Sequence, residues 1–204
     1  MVNRNIWVVS DTHFNHENII RYCGRPFANA EEMNLSLIDK WNSVVKPHDI
    51  VYHLGDVYIG KPDKVRGILP LLVGRKRLIL GNHDNIADGI LHKHFEKILV
   101  WRQFKDFGVT LSHIPLHEGS LNDRFPINVH GHIHEKLVDD PRYVNVSVEH
   151  TNYGLINLEE IKQFGEKQHL QKNTSIGKET DWGPDVGNEA VRIMVKEDGK
   201  HLTN

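Results

Sequence analysis

The chain has 204 residues with 25 Lys+Arg and 27 Asp+Glu, a net charge of −2. That length is enough for one domain with a sizeable core, and charges that nearly cancel exclude the global basic field typical of nucleic-acid binders. A single cysteine, Cys23, excludes an intramolecular disulfide, a Cys-rich zinc site and an iron–sulfur cluster, and no apolar run reaches the roughly 18 residues that a membrane span needs. Histidine is the outlier, with 15 copies, and imidazole is both a common metal ligand and a proton donor near neutral pH.

Ile6 to Ser10 reads as a first core strand, not a signal peptide, so the cytoplasm is the expected location. Asn29 is placed to cap a helix opening at Ala30. Met33, Leu37, Trp41 and Val44 recur there at three- and four-residue spacing, and Pro47 closes it. Asp49 to Leu54 predicts the next strand. A second helix is expected from Pro62, with Val65, Ile68, Leu69 and Leu72 on its apolar face and Gly74 at its end. Arg77 to Leu80 predicts a third strand and Ile86 to Phe95 a short helix. Further strands are expected at Lys97 to Gln103, Val109 to Ser112, Ile127 to His130 and Tyr143 to Val148, and Asn157 is placed to cap a helix from Leu158.

Strands alternating with helices, then strands in closer succession, predict an α/β sandwich with helices outside packed sheets. The domain is expected over residues 1–164. Residues 165–204 are polar and glycine-bearing, with one β-prone run at Ala190 to Val195, and read as a peripheral or partly disordered extension.

The chemistry concentrates in short polar clusters at the predicted strand ends: Asp11-Thr12-His13, Gly55-Asp56, Gly81-Asn82-His83-Asp84, His113, and Gly131-His132-Ile133-His134. Their donors are oxygen and imidazole nitrogen, suited to Mn, Fe, Zn or Ni and not to a thiolate-loving metal. Strand ends converge where α/β folds build ligand sites. In an extended segment, ligands two residues apart, such as Asp11 and His13 or His132 and His134, point to one side. Gly55, Gly81 and Gly131 permit sharp turns beside ligands. One carboxylate, Asp56, can offer an oxygen to each of two metals, and the Asn82 carbonyl keeps the site less anionic for a phosphate.

These clusters resemble the calcineurin-like metallophosphoesterase family, whose pattern is Asp-x-His, Gly-Asp, Gly-Asn-His-Asp/Glu, a lone His and Gly-His-x-His. The match runs from residue 6 to about 156. The resemblance implies a four-layer α/β/β/α sandwich and a dinuclear site. In it, Asp11, His13 and His134 would bind one divalent ion, and Asn82, His113 and His132 a second, with Asp56 bridging. Manganese is the first choice. His83 would stabilise charge on the phosphate and protonate the leaving oxygen, with Asp84 holding and polarising it. A metal-bound hydroxide would hydrolyse a phosphomonoester or phosphodiester.

The run Gly55-Asp56-Val57-Tyr58-Ile59-Gly60 lacks the Asp-Arg pair of the protein Ser/Thr phosphatases, and the later motif ends in Asp84 where they have Glu. The chain looks more like a small bacterial and phage subset, with Asp11-Thr12-His13-Phe14-Asn15-His16 at the front. In that context His16, Arg21 and Arg25 are candidate phosphate contacts, although Arg21 equally suits a solvated helix face. A lone His113 would read as a core histidine. The seven ligands together do not. His117 and His130 read as supporting or surface residues, and His48, His53, His92, His94, His150, His169 and His201 as bland ones. A small-molecule or nucleotide substrate is favoured, because the chain has no clear cap or basic groove. The alternatives are a nuclease of the same family and a non-catalytic metal-binding scaffold. Scaffolds of this fold tend to lose the histidine at position 83 or a ligand, and here both remain.

Overall fold

A computed structural model describes residues 4–163. The expected extension at 165–204 therefore lies outside the described residues. Strands β1 (Ile6–Val9), β2 (Ile50–His53), β3 (Arg75–Ile79) and β4 (Lys97–Leu99) run parallel, and β9 (Ile156–Asn157) pairs antiparallel with β1, giving the order β4-β3-β2-β1-β9. A second sheet holds β5 (Trp101–Phe104), β6 (Val109–Ser112), β7 (Ile127–His130) and β8 (Tyr143–Asn145) in chain order. β5 is antiparallel to β6, and the remaining pairs are parallel.

Alternation along the first sheet separates two cores. Val9, Val51 and Leu78 join one cluster with Met33, Leu37, Trp41, Val65, Leu69 and Leu91 from the helical segments. Their neighbours Val8, Tyr52 and Ile79 point the other way and join Leu111, Val129 and Val144 of the second sheet. A strand that buries both faces must be apolar at successive positions, which is why β1 reads Ile-Trp-Val-Val. The result is the expected mixed α/β sandwich of two packed sheets with helices. Leu158 and Ile161, from a helix at 158–163, close one part of the inter-sheet core.

Helix α1 (Glu17–Tyr22) precedes α2 (Ala30–Val44). As expected, the Asn29 side chain caps α2, accepting from Glu32 N at 2.9 Å, and Val45 ends it in an extended conformation ahead of Pro47. The single helix expected from Pro62 is broken. Helix α3 spans only Pro62–Val65, and a 3₁₀ turn, Leu69–Leu71, follows after Gly67. Pro70 supplies no N–H and disfavours the α region for the residue before it. Helix α4 (Gly89–His94) starts later than expected because Asp88 caps it through Ile90 N.

The one strand expected over Lys97 to Gln103 is two. The chain leaves the first sheet after Leu99 and enters the second at Trp101. The run expected at Tyr143 to Val148 also divides. After β8 the chain crosses to β1, where Ser10 N donates to Val146 O at 3.1 Å and Val148 N donates to Ser10 O at 3.2 Å. This crossing stitches the two sheets together at the end where β1, β2 and β3 finish.

Candidate metal centre

Each cluster leaves the C-terminal end of a strand. Asp11 and His13 follow β1, Asp56 follows β2, Asn82 and His83 follow β3, His113 follows β6, and His132 and His134 follow β7. Cross-links hold the loops in register: Asp11 N donates to Gly55 O, His13 N to Asp56 O and Gly131 N to His113 O, at 2.9 to 3.0 Å.

The loops are not extended, as two-residue spacing had suggested. Asp11, His13, Asp56, His132 and His134 all have left-handed backbone, with φ between 47° and 71°. For a non-glycine residue that costs about 1 kcal/mol or more, and it persists because the surrounding hydrogen bonds over-determine it. Gly55 shares this geometry, at φ 101°. Gly81 and Gly131 do not, and their smallness serves a different purpose. A Cβ on Gly81 would lie 2.2 Å from Asp56 Oδ1, and one on Gly131 would lie 2.0 Å from Ser10 Oγ and 2.3 Å from Asp11 Oδ2. These glycines let carboxylates rest against backbone.

Two groups of donors result: Asp11, His13 and His134, and Asp56, His113 and His132. Within each, one donor atom from every residue lies within 4.8 Å of the others. Asp56 faces both groups. Its Oδ2 is 3.6 Å from His13 Nε2, and its Oδ1 is 3.6 Å from His113 Nε2. His113 Nδ1 lies 2.7 Å from Leu54 O, a carbonyl that only accepts, so this nitrogen donates. In the neutral ring Nε2 then carries a lone pair, facing Asn82 Oδ1 at 2.9 Å and His132 Nδ1 at 3.2 Å. A divalent ion among these atoms would be met by a ring nitrogen and an amide oxygen at once.

The donor set fits a divalent metal. Asp11 Oδ1 and both ring nitrogens of His13 are buried without a hydrogen-bond partner among the described residues, a costly arrangement unless an ion satisfies them. Burial, reinforced by Arg25 and neighbouring imidazoles, pushes the His13 pKa far down, so it presents neutral nitrogen. Burial raises Asp11, opposed by His113 and His134. His134 is pushed up to about 10: burial works against its charge, but Cys23, Glu149 and Asp11 outweigh it.

The remaining site candidates divide. His83 is half exposed, with Nε2 4.0 Å from Asp56 Oδ2, and its backbone N donates to Asp56 Oδ1 at 2.9 Å. Asp84 does not hold the His83 ring. Its oxygens accept from the backbone N–H groups of Asp56, Val57 and Gly81 at 2.9 to 3.0 Å, so it ties two ligand loops together. His16 sits beside the centre, its ring 5.4 Å from that of His13. Arg21 is exposed on α1, with its guanidinium on Asn18. Arg25 is no phosphate contact: its side chain is fully buried and donates to Asp11 O, Thr12 O and Glu149.

Glu149 escaped the sequence reading. It accepts from Arg25 at 2.6 Å and holds His134 Nδ1 at 3.1 Å. Burial raises its carboxyl, yet His134 and Arg25 bring it down to about 2. Its signal was present, since it follows the β-prone run ending at Val148, as the candidate ligands follow theirs. Two histidines read as bland also brace the loops, His53 against Thr12 Oγ1 at 2.9 Å and His150 against His134 O at 2.7 Å.

Residues 5–163 match the model of the calcineurin-like phosphoesterase superfamily domain. An uncharacterized protein of Methanocaldococcus jannaschii is 42% identical over 176 residues, covering 82% of this chain and 94% of that protein. The Gene 66 protein of Mycobacterium phage D29 is 27% identical over 193 residues, covering 78% and 95%. The crystal structure of a protein of unknown function from Aquifex aeolicus superposes with a TM-score of 0.64 at 28% identity, covering 79% of this chain and 99% of that one. The chain belongs to the calcineurin-like phosphoesterase superfamily, whose members hydrolyse phosphoesters with the help of metal ions. No helix among the described residues is long and apolar enough to cross a membrane.

Proposed function

We propose that the protein is a dinuclear phosphoesterase acting on a phosphomonoester or phosphodiester of small-molecule or nucleotide size. The observation that carries this reading is Asp56. One buried carboxylate turns an oxygen toward each of two donor groups. Asp11, His13 and His134 would hold one divalent ion, and Asn82, His113 and His132 the other, manganese first and Fe, Zn or Ni after it. Such a pair, when bound, supplies a water of lowered pKa and charge to neutralise phosphate oxygens.

The chain's own residues do the rest. Asp56 orients both groups, and Asp84 fixes the Asp56 backbone N–H. His83 stands at the open mouth, where its ring meets charge building on the phosphate and can pass a proton to the leaving oxygen. Asn82 adds a neutral oxygen and leaves the site able to accept an anion. His16 is the remaining candidate for a phosphate contact.

Metal analysis of purified protein should give two ions per chain, with Asp56→Asn losing both. Hydrolysis of bis-p-nitrophenyl phosphate should depend on added Mn²⁺ and stop with chelator. Turnover in ¹⁸O-water should place the label on the phosphate. A protein that holds two ions yet hydrolyses none of a panel of mono-, di- and cyclic phosphates is a scaffold.

A further inference from the structure

A groove of about 530 Å³ opens beside the candidate metal centre, and Asn82 and His113 belong to its wall. Its other walls are of a different chemistry. Trp101 and Ile114 flank it and remain 55% and 51% exposed, and Leu116 adds apolar surface. On the β5–β6 face that lines the groove, Gln103 donates to Thr110 Oγ1 at 3.3 Å. The Gln103 amide oxygen accepts no hydrogen bond among the described residues. The volume lies in the usual range for small-ligand pockets.

We propose that this groove receives the base of a nucleotide whose phosphate sits on the metal centre. The proposal rests on the phosphoesterase reading and names its substrate class. Continuity with the centre is the first argument, because Asn82 and His113 serve both. A large, half-exposed indole is the second, since a planar base stacks on it and stacking tolerates any base. The Gln103 amide is the third. It offers a hydrogen-bonding edge that an acyl chain could not use and would have to desolvate.

The test is competitive inhibition of bis-p-nitrophenyl phosphate hydrolysis by the Mn²⁺-loaded full chain. Three monophosphates compete: adenosine 5′-monophosphate, ribose 5-phosphate and octyl phosphate. All share the phosphate, and only the first carries a base. The nucleotide should inhibit about 10-fold more tightly than the sugar phosphate. Trp101→Ala should remove that advantage and leave the sugar phosphate constant unchanged, which also reports that the variant is folded. Equal constants for nucleotide and sugar phosphate overturn the proposal. So does an advantage that survives Trp101→Ala, and octyl phosphate binding tightest assigns the groove to a lipid. If the wild type hydrolyses nothing, the phosphoesterase reading fails by itself. The same three ligands measured by calorimetry then judge the groove: a nucleotide advantage lost in Trp101→Ala upholds it, and no advantage overturns it.

Discussion

Glu149 Oε1 lies 3.1 Å from Nδ1 of His134, and this contact fixes which nitrogen of that ring faces the centre. The carboxylate is itself held by the buried Arg25, whose other N–H groups grip the backbone of Asp11 and Thr12. A carboxylate behind a ligating histidine orients the ring and raises its basicity. Glu149→Gln keeps the shape and removes the charge. It should weaken the ion held by Asp11, His13 and His134 by about 10- to 100-fold and leave the ion at Asp56, His113 and His132 close to its original affinity. Calorimetric titration of metal-free protein with Mn²⁺ resolves the two. Two unchanged constants would mean that Glu149 serves only to neutralise Arg25.

Gly131→Ala tests the close approach of backbone to carboxylate. The added methyl would fall within 2.3 Å of both Ser10 Oγ and Asp11 Oδ2. Neither can retreat freely, since Asp11 Oδ2 accepts from His132 N and from Ser147 Oγ at 2.9 and 2.8 Å. Overpacking of this kind costs about 1–3 kcal/mol, and Asp11 would be displaced from its partners. We expect metal content to fall at the same site. Gly67→Ala, where nothing lies within 4 Å and the backbone is not left-handed either, controls for adding a methyl without crowding. Full metal content in Gly131→Ala would contradict the role given to this glycine.

His83 and Asp84 adjoin in sequence but should fail differently. His83→Ala should lower kcat by about 10²-fold or more while metal content and stability stay near wild type. Asp84→Ala strands three backbone N–H groups, each buried donor costing about 1–3 kcal/mol. Its melting temperature should drop and its metal affinity weaken, because the Asp56 and Asn82 loops lose their clip. Identical behaviour of the two variants would restore the view that Asp84 acts through the His83 ring.

Asp49 links the start of the first sheet to pH. It is buried and accepts from Asn5 N at 3.1 Å, Trp7 Nε1 at 3.1 Å and Lys46 N at 3.0 Å. Burial alone would raise its carboxyl, but these hydrogen bonds prevail and the net shift is downward. A depressed folded-state pKa means stability that is present above the unfolded value, near 3.8, and is lost as pH falls through the folded one. Asp49→Asn should therefore be less stable than wild type at neutral pH. The gap should narrow below about pH 3.8. Chemical unfolding at stepped pH measures it, and a gap constant with pH would exclude the carboxylate as its source.

The clusters of candidate donors could be found in the sequence because each is local: a strand ends and the next few residues carry the donors. Asp11-x-His13 and His132-x-His134 need no knowledge of the partner strands. The support behind them was not legible. Arg25 reaches Glu149 across 124 residues, and no spacing rule connects an arginine after α1 with a glutamate after β8. An exposed phosphate contact and a buried clamp look alike in sequence, and Arg25 proved to be the clamp. The break at Val100 was hidden for a related reason. Lys97 to Gln103 carries no glycine or proline to mark a break, and only the pairing partners, β3 on one side and β6 on the other, divide it.

The stitch between the sheets has a consequence for how the protein is made. Asp11 waits 121 residues for the backbone of His132, and neither donor group is complete until β7 and its loop have left the ribosome. At roughly 5–20 residues per second, the early donors wait about 6 to 24 s for their later ones. During that interval the nascent chain offers metals only incomplete sets, Asp11 and His13 on one side and Asp56, Asn82 and His113 on the other, without the docked sheets that hold them in register. Selection falls to the finished sandwich, whose loops set the distances. Ribosome-bound chains arrested before His132 should then capture Mn²⁺ and Zn²⁺ no better than a chain with Asp11 replaced, and tight early capture would place metal loading ahead of sheet docking.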